Sequence, residues 1–240
     1  MADNPSTAAE LPGARRTGIV YLVYFVSAFA LALRIKLIVA SDAAATASRI
    51  LGSEGTYRFT VLSDLTSYVI YMVLTFMLYQ ILRGSNREWA RVAVAFSLMG
   101  CAVQVTATAS LIGPLVILKD SAFEALPLGQ RQELALLAIK MYSHGYNVGL
   151  LFFGGFDLLM GLLLALSRFV PRWIGWLLVV AGLGWMGLTF TNILAPQLGR
   201  SLGTIVLPIG ALAELALALW LAIRGINETA WATAHGSPSP

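Results

Sequence analysis

Long apolar runs alternate with short polar breaks along almost the whole chain. A helix that crosses a bilayer needs about 20 predominantly apolar residues. Six runs meet that requirement: residues 18–39, 60–82, 89–118, 133–166, 173–195 and 204–223. The pattern predicts an all-α, polytopic transmembrane helical bundle of six spans. Residues 40–59 hold Asp42, Arg49, Glu54 and Arg58 around an alanine-rich middle. That composition predicts a short amphipathic or re-entrant helix between spans one and two. The breaks carry turn chemistry. Arg83-Gly84-Ser85-Asn86-Arg87 is a tight cationic turn, Pro127-Leu128-Gly129 marks another, and Pro171 stands where a fifth helix would begin. The fourth run is long enough to tilt or to project beyond the bilayer.

The ends read differently. Residues 1–17 and 225–240 are rich in small and polar residues and read as disordered tails around a membrane domain at 18–224. Arg34 and Lys36 follow the first apolar stretch directly, and that stretch is longer than most signal-peptide cores. It therefore reads as an uncleaved anchor.

Composition narrows the function classes. Of 240 residues, 58% are hydrophobic and only 12% are charged, about half the charge of an ordinary soluble domain. Such a chain cannot cover a water-facing surface, so lipid is its main solvent and no room remains for a soluble catalytic domain. The net charge of +4 comes from arginines placed singly or in pairs beside apolar runs. No basic stripe with interleaved aromatics is present, which excludes nucleic acid as a partner. Lys and Arg divide evenly between the two sides of a six-span topology, but every short, arginine-edged turn falls on the side of the N-terminus. This pattern predicts a multi-pass protein of the cell membrane with both termini cytoplasmic and Trp89, Trp173 and Trp176 at that interface. Cys101 is the one cysteine, and His144 and His235 are the only histidines. No intrachain disulfide and no cysteine-based metal centre can form. No His-Glu-x-x-His, Gly-x-Ser-x-Gly or phosphate loop occurs, so no cofactor is assigned.

Ionisable groups inside apolar runs are costly and turn toward one another or toward a cavity. On the fourth run Lys140, His144 and Asn147 share a helical face, and on the second Asp64, Tyr68, Tyr71 and Thr75 do the same. With Arg34, Lys36, Asp42, Arg58 and Asn192 at the same level, they predict an outward-facing polar pocket floored by Asp64 and His144. The alternative for Arg34, Lys36 and Lys140 is that they snorkel to the headgroups. Glu214 is a candidate buried carboxylate in span six, and Asp157 lies in span four. Gln104 and Thr108 read as interhelical glue, and the glycines of spans four and five predict close packing there.

Two groups of residues carry a family resemblance. The first is Lys36-Leu37-Ile38-Val39, Asp42-Ala43-Ala44-Ala45-Thr46-Ala47, Tyr57-Arg58 and Ser63-Asp64-Leu65. The second is Ser143-His144-Gly145-Tyr146, Phe152-Phe153-Gly154, Pro171, Gly175-Trp176-Leu177-Leu178 and Ala181-Gly182. Together they resemble the bacterial membrane-protein family catalogued as domain of unknown function 4386. The resemblance implies a multi-span membrane protein and brings no assigned activity. It matches at Asp42, Arg58, Asp64, His144, Gly145 and Glu214. It departs at Tyr142, where members often carry His, and at Asp157, where they carry an apolar residue. The first departure weakens a two-histidine metal reading and the second demotes Asp157.

Three functions follow. The first is binding or transport of a small amphipathic or lipid-like ligand in the polar pocket. The second is a scaffold or assembly subunit, with homo-oligomers as one form. The third is an intramembrane acid–base enzyme using His144 with Asp64 or Glu214.

Overall fold

The computed structural model describes residues 13–236. They form ten α-helices: α1 (Ala14–Ala28), α2 (Leu31–Ile35), α3 (Ala43–Gly52), α4 (Glu54–Leu82), α5 (Arg87–Ala109), α6 (Gly113–Lys119), α7 (Leu128–Ser167), α8 (Arg172–Leu194), α9 (Pro196–Ile223) and α10 (Glu228–Gly236). A 3₁₀ turn covers Ser121–Phe123, and no strand occurs among the described residues. Six helical stretches are long and apolar enough to cross a membrane: α1 with α2, α4, α5 with α6, α7, α8 and α9. The all-α six-span bundle is therefore the fold.

Local chemistry explains the helix boundaries. Asp42 caps α3, accepting a hydrogen bond from the Ala45 amide at 2.8 Å. Asn86 caps α5 by accepting from the amides of Glu88 and Trp89. Each cap satisfies donors that a helix start leaves open. Residues 196–203 are helical rather than a loop, because Pro196 occupies the first turn of α9, where a missing N–H costs nothing. The second span begins at Glu54, ahead of the expected residue 60, since Glu54 and Arg58 form an i,i+4 pair at its start. The short helix expected between spans one and two is α3. It buries Ala43, Thr46, Ala47 and Ile50 and packs chiefly on α7.

The six spans form a closed ring. Consecutive spans are neighbours, from α1 through α4, α5, α7 and α8 to α9, and α9 returns to pack on α1. An even number of spans brings the start of α1 and the end of α9 to one face of the bundle. That face also carries the α4–α5 and α7–α8 turns. The opposite face carries α3.

The region after residue 225 corrects the expectation of an open tail. It forms α10, with Trp231 fully buried against the main core. One indole supplies enough apolar area to dock a nine-residue helix that composition alone reads as loose. The tail expected at 1–17 lies mostly outside the described residues, although α1 already starts at Ala14.

Close backbone approach holds two seams of the ring. A side chain at Gly18 of α1 would run into the backbone of Leu221 and Ala222 of α9, the seam that closes the ring. On α7 and α8, Gly154 faces Gly182 and Gly161 faces Gly175 with carbonyl oxygens in the space a Cβ would need. The other small pair on α7, Gly145 and Gly149, faces Ala107 and Gln104 of α5, so α7 is approached closely from both sides. Gly18→Leu and Gly182→Leu should each destabilise the protein by about 1–3 kcal/mol, as overpacking does. Gly187→Leu, with open space around it, should leave thermal unfolding in detergent unchanged. Equal melting temperatures for all three variants would contradict the assigned seams.

Candidate functional site

Span one is interrupted. The helical ladder breaks at Phe29-Ala30, and α2 resumes for only five residues. The break leaves Arg34 1% exposed despite its place near the end of the span. Its Nη2 lies 2.7 Å from Asp64 Oδ2 on α4, and Asp64 is 5% exposed. The same nitrogen donates to the Tyr142 hydroxyl at 2.9 Å, and that hydroxyl donates to Asp64 Oδ2 at 3.2 Å. The guanidinium carbon sits 4.8 Å from the Tyr142 ring centroid, within range of a cation–π attraction. Three spans are tied at one point. A lone charge here would be unpaired in a low-dielectric interior, whereas the pair is neutral and largely hydrogen-bonded.

Polar groups continue from that triad toward the middle of the bundle. Tyr68 donates to Gln104 Oε1 at 3.2 Å, and Gln104 Nε2 donates to the Tyr146 carbonyl at 3.2 Å. One turn further along α4, the Tyr71 hydroxyl donates to Glu214 Oε1 of α9 at 3.5 Å. Tyr21 of α1 packs edge-on against Tyr71 beside the same carboxyl. Asp157 of α7 is fully buried in the same core, and neither of its oxygens has a partner among the described residues. Thr75 and Ser97 close the series with a 2.6 Å hydrogen bond between α4 and α5.

A chamber of about 70 Å³ lies between the triad and Glu214. All six spans line it, through Tyr24, Tyr71, Gln104, Tyr146, Trp185 and Glu214 among others. That space suits a few ordered waters and is too small for an acyl chain without side-chain movement. Its wall is mostly aromatic, with two carboxyls, Asp64 and Glu214. Asp64 has its counter-charge in Arg34. Glu214 meets tyrosine hydroxyls, and no cation pairs with it among the described residues.

Asp64, Tyr68, Tyr71 and Glu214 thus converge, and five other predicted pocket residues do not. Lys140 and His144 are exposed. The core face of α7 runs through Ile139, Tyr142, Gly149, Leu150 and Phe153. His144 is two residues from Tyr142 and therefore roughly on the opposite side of the helix. The shared face of Lys140 and His144 is real, but it turns away from the bundle. Asp42 is an exposed helix cap. Arg58 is exposed and paired with Glu54, which also binds Lys119 at 2.6 Å. Asn147 is partly buried, accepts from Asn192 at 2.7 Å and receives Thr189 on its carbonyl. It fastens α8 to α7 outside the chamber.

Sequence reasoning gave Tyr142 no part in the site and left Arg34 open between the polar pocket and the headgroups, without naming its partner. The signal that identifies Arg34 is Asp64, a carboxylate too short to reach the interface and in need of a cation. Asp157, demoted on the resemblance, is as buried as any group in the core. Among the described residues, no three His, Cys, Asp or Glu side chains cluster to hold a metal ion.

The family model for a domain of unknown function, DUF4386, matches residues 16–225, nearly the whole described chain. The chain belongs to this family. No curated protein and no solved structure matches it. All six spans of the ring, but for the first two residues of α1, fall within the matched region.

Neutralising one member of the Arg34–Asp64 pair strands the other. Arg34→Met or Asp64→Leu alone should destabilise the protein by about 3–5 kcal/mol. The double variant should recover most of that loss, as read from thermal unfolding in detergent. A double variant no more stable than the weaker single would show that the two residues are not partners.

Proposed function

We propose that this protein is a membrane binding or transport module whose central chamber takes a small amphipathic cation. One observation carries the reading: Glu214, a buried carboxyl lining a chamber shared by all six spans, has the Tyr71 hydroxyl as a partner but no counter-ion among the described residues. A carboxylate in hydrocarbon needs a cation or a proton to become neutral. The aromatic wall favours a cation that is also greasy, since ring faces attract positive charge most strongly when it is desolvated. One broken span supports movement at this place. The break after α1 stands beside Ala28 and Leu31 of the chamber. Discontinuous spans commonly flank transported ligands. The lipid-like occupant is less favoured, because about 70 Å³ cannot hold a chain.

In this reading the protein resides in the cell membrane, with the arginine-edged turns at the cytoplasmic face. The triad closes the chamber toward the α3 side, so a ligand entering there passes Arg34 and Asp64. Arg34 and Asp64 serve in this reading as its door, with Glu214 as its anchor.

The test uses purified protein in detergent and ethylammonium chloride, whose three heavy atoms match a few waters, against sodium chloride at equal ionic strength. Ethylammonium should raise the melting temperature and bind in calorimetry. Glu214→Gln should weaken binding by about thirtyfold or more, the loss expected when one partner of a buried charge contact is removed. Gly187→Leu, on the outer surface, should bind as wild type does. Equal binding by wild type and Glu214→Gln would end the proposal.

A further inference from the structure

A second pocket lies at the face that carries the ends of α1 and α9. The α7–α8 turn and the α9–α10 turn stand side by side there, tied by the Asn227 amide donating to the Phe169 carbonyl at 2.8 Å. Each turn has one residue with positive φ, Arg168 at 60° and Gly225 at 73°. Arg168 is the one non-glycine residue with positive φ among those described. A left-handed conformation is unusual for an arginine. Between the turns is an open pocket of about 540 Å³. Arg168, Arg172 and Arg224 line it, and Trp220 and Ile226 supply apolar wall. The stem of Arg15 lies beside Gly225 and adds a fourth cation to the same corner.

These arginines are not balanced. None of Arg168, Arg172 and Arg224 forms an ion pair among the described residues. Glu228, four residues beyond Arg224, is exposed and pairs with none of them. The neighbouring turn on this face differs, since Arg91 there is held by Glu88 at 2.7 Å. Three guanidiniums around one concavity leave a site for an anion that accepts several N–H donors at once. Phosphate oxygens fit the planar fork of arginine better than any neutral group does. Depth points to the source of the phosphate. Trp173 and Trp176 are exposed on the first turns of α8, where tryptophans mark the headgroup level. The apolar side of the pocket continues into the outer surface of α9.

We propose that this pocket binds the phosphate of an anionic phospholipid headgroup, with Arg168, Arg172 and Arg224 as its ligands and the acyl chains lying along α9. The site is independent of the central chamber, and bound lipid would clamp the α7–α8 turn to α10 at the edge of the membrane.

The experiment places detergent-purified protein with dioleoylphosphatidylglycerol or dioleoylphosphatidylcholine and counts retained lipid by native mass spectrometry. Phosphatidylglycerol should be retained in preference. Each single Arg→Gln change at 172 or 224 should weaken that preference by about fivefold, and the triple R168Q/R172Q/R224Q variant by about a hundredfold, from the strength of one basic residue near an anionic surface. The triple Lys variant should bind more weakly than wild type but more tightly than the Gln triple, because charge remains and the fork is lost. R83Q/R87Q, at the neighbouring turn, should bind as wild type does. If the Gln triple fails to fold, the two single variants carry the measurement. Competition by inorganic phosphate at millimolar levels, with the same arginine dependence, would keep the phosphate site and assign it to a soluble source instead. No preference for phosphatidylglycerol, or a preference that R83Q/R87Q removes as fully as the corner variants do, would overturn the proposal.

Discussion

Arg34 and Asp64 stand 2.7 Å apart in a bundle surrounded by hydrocarbon, and much of the architecture follows from keeping them together. Neither charge is tolerable alone at that depth. Their attraction holds the short helix α2 against α4, although α2 has too few residues to be stable by itself. Tyr142 of α7 completes the contact from a third direction, giving a hydroxyl to the carboxylate and a ring face to the guanidinium. The break in span one is thereby anchored on its far side. On that side the chamber is bounded by side chains, those of Asp64 and Tyr142 among them.

The ring that encloses this chamber depends on a different force. Lipid tails are as apolar as the spans, so burial of apolar area drives helix association weakly, and close packing with interhelical hydrogen bonds must do most of the work. Glycines at the α1–α9 and α7–α8 seams let backbones meet. Thr75 with Ser97, Asn192 with Asn147, and Tyr68 with Gln104 then bridge neighbouring spans. Closing the ring leaves its axis to side chains from all six helices, and tyrosine fills that axis well. It combines a large ring with one hydroxyl that can reach a polar neighbour.

Much of the candidate site was legible before any coordinates. Asp64, Tyr68, Tyr71 and Glu214 stood out because polar groups inside apolar runs have few places to go. His144 and Lys140 stood out by the same rule, yet they lie on the outer side of α7. Periodicity says which residues share a face and does not say which way the face points. On α7 the inward face carries Tyr142, whose mixed character hid it among the aromatics. Trp231 was missed for a related reason, since a single indole in a polar tail has no periodicity to reveal it.

The sequence alone determined that the chain spans a membrane with six helices, because run length and scarcity of charge follow from the solvent and need no knowledge of neighbours. Some helix starts are also local, since caps such as Asp42 and Asn86 act within one turn, although α1, α4 and α9 begin ahead of the apolar runs. Tertiary structure alone decided which ionisable groups meet. Arg34, Asp64 and Tyr142 are separated by long stretches of chain, and their contact depends on the order in which six helices close into a ring. That order is set by the fit of small residues and side-chain hydrogen bonds between neighbouring spans, a property of pairs of surfaces that no single stretch of sequence contains.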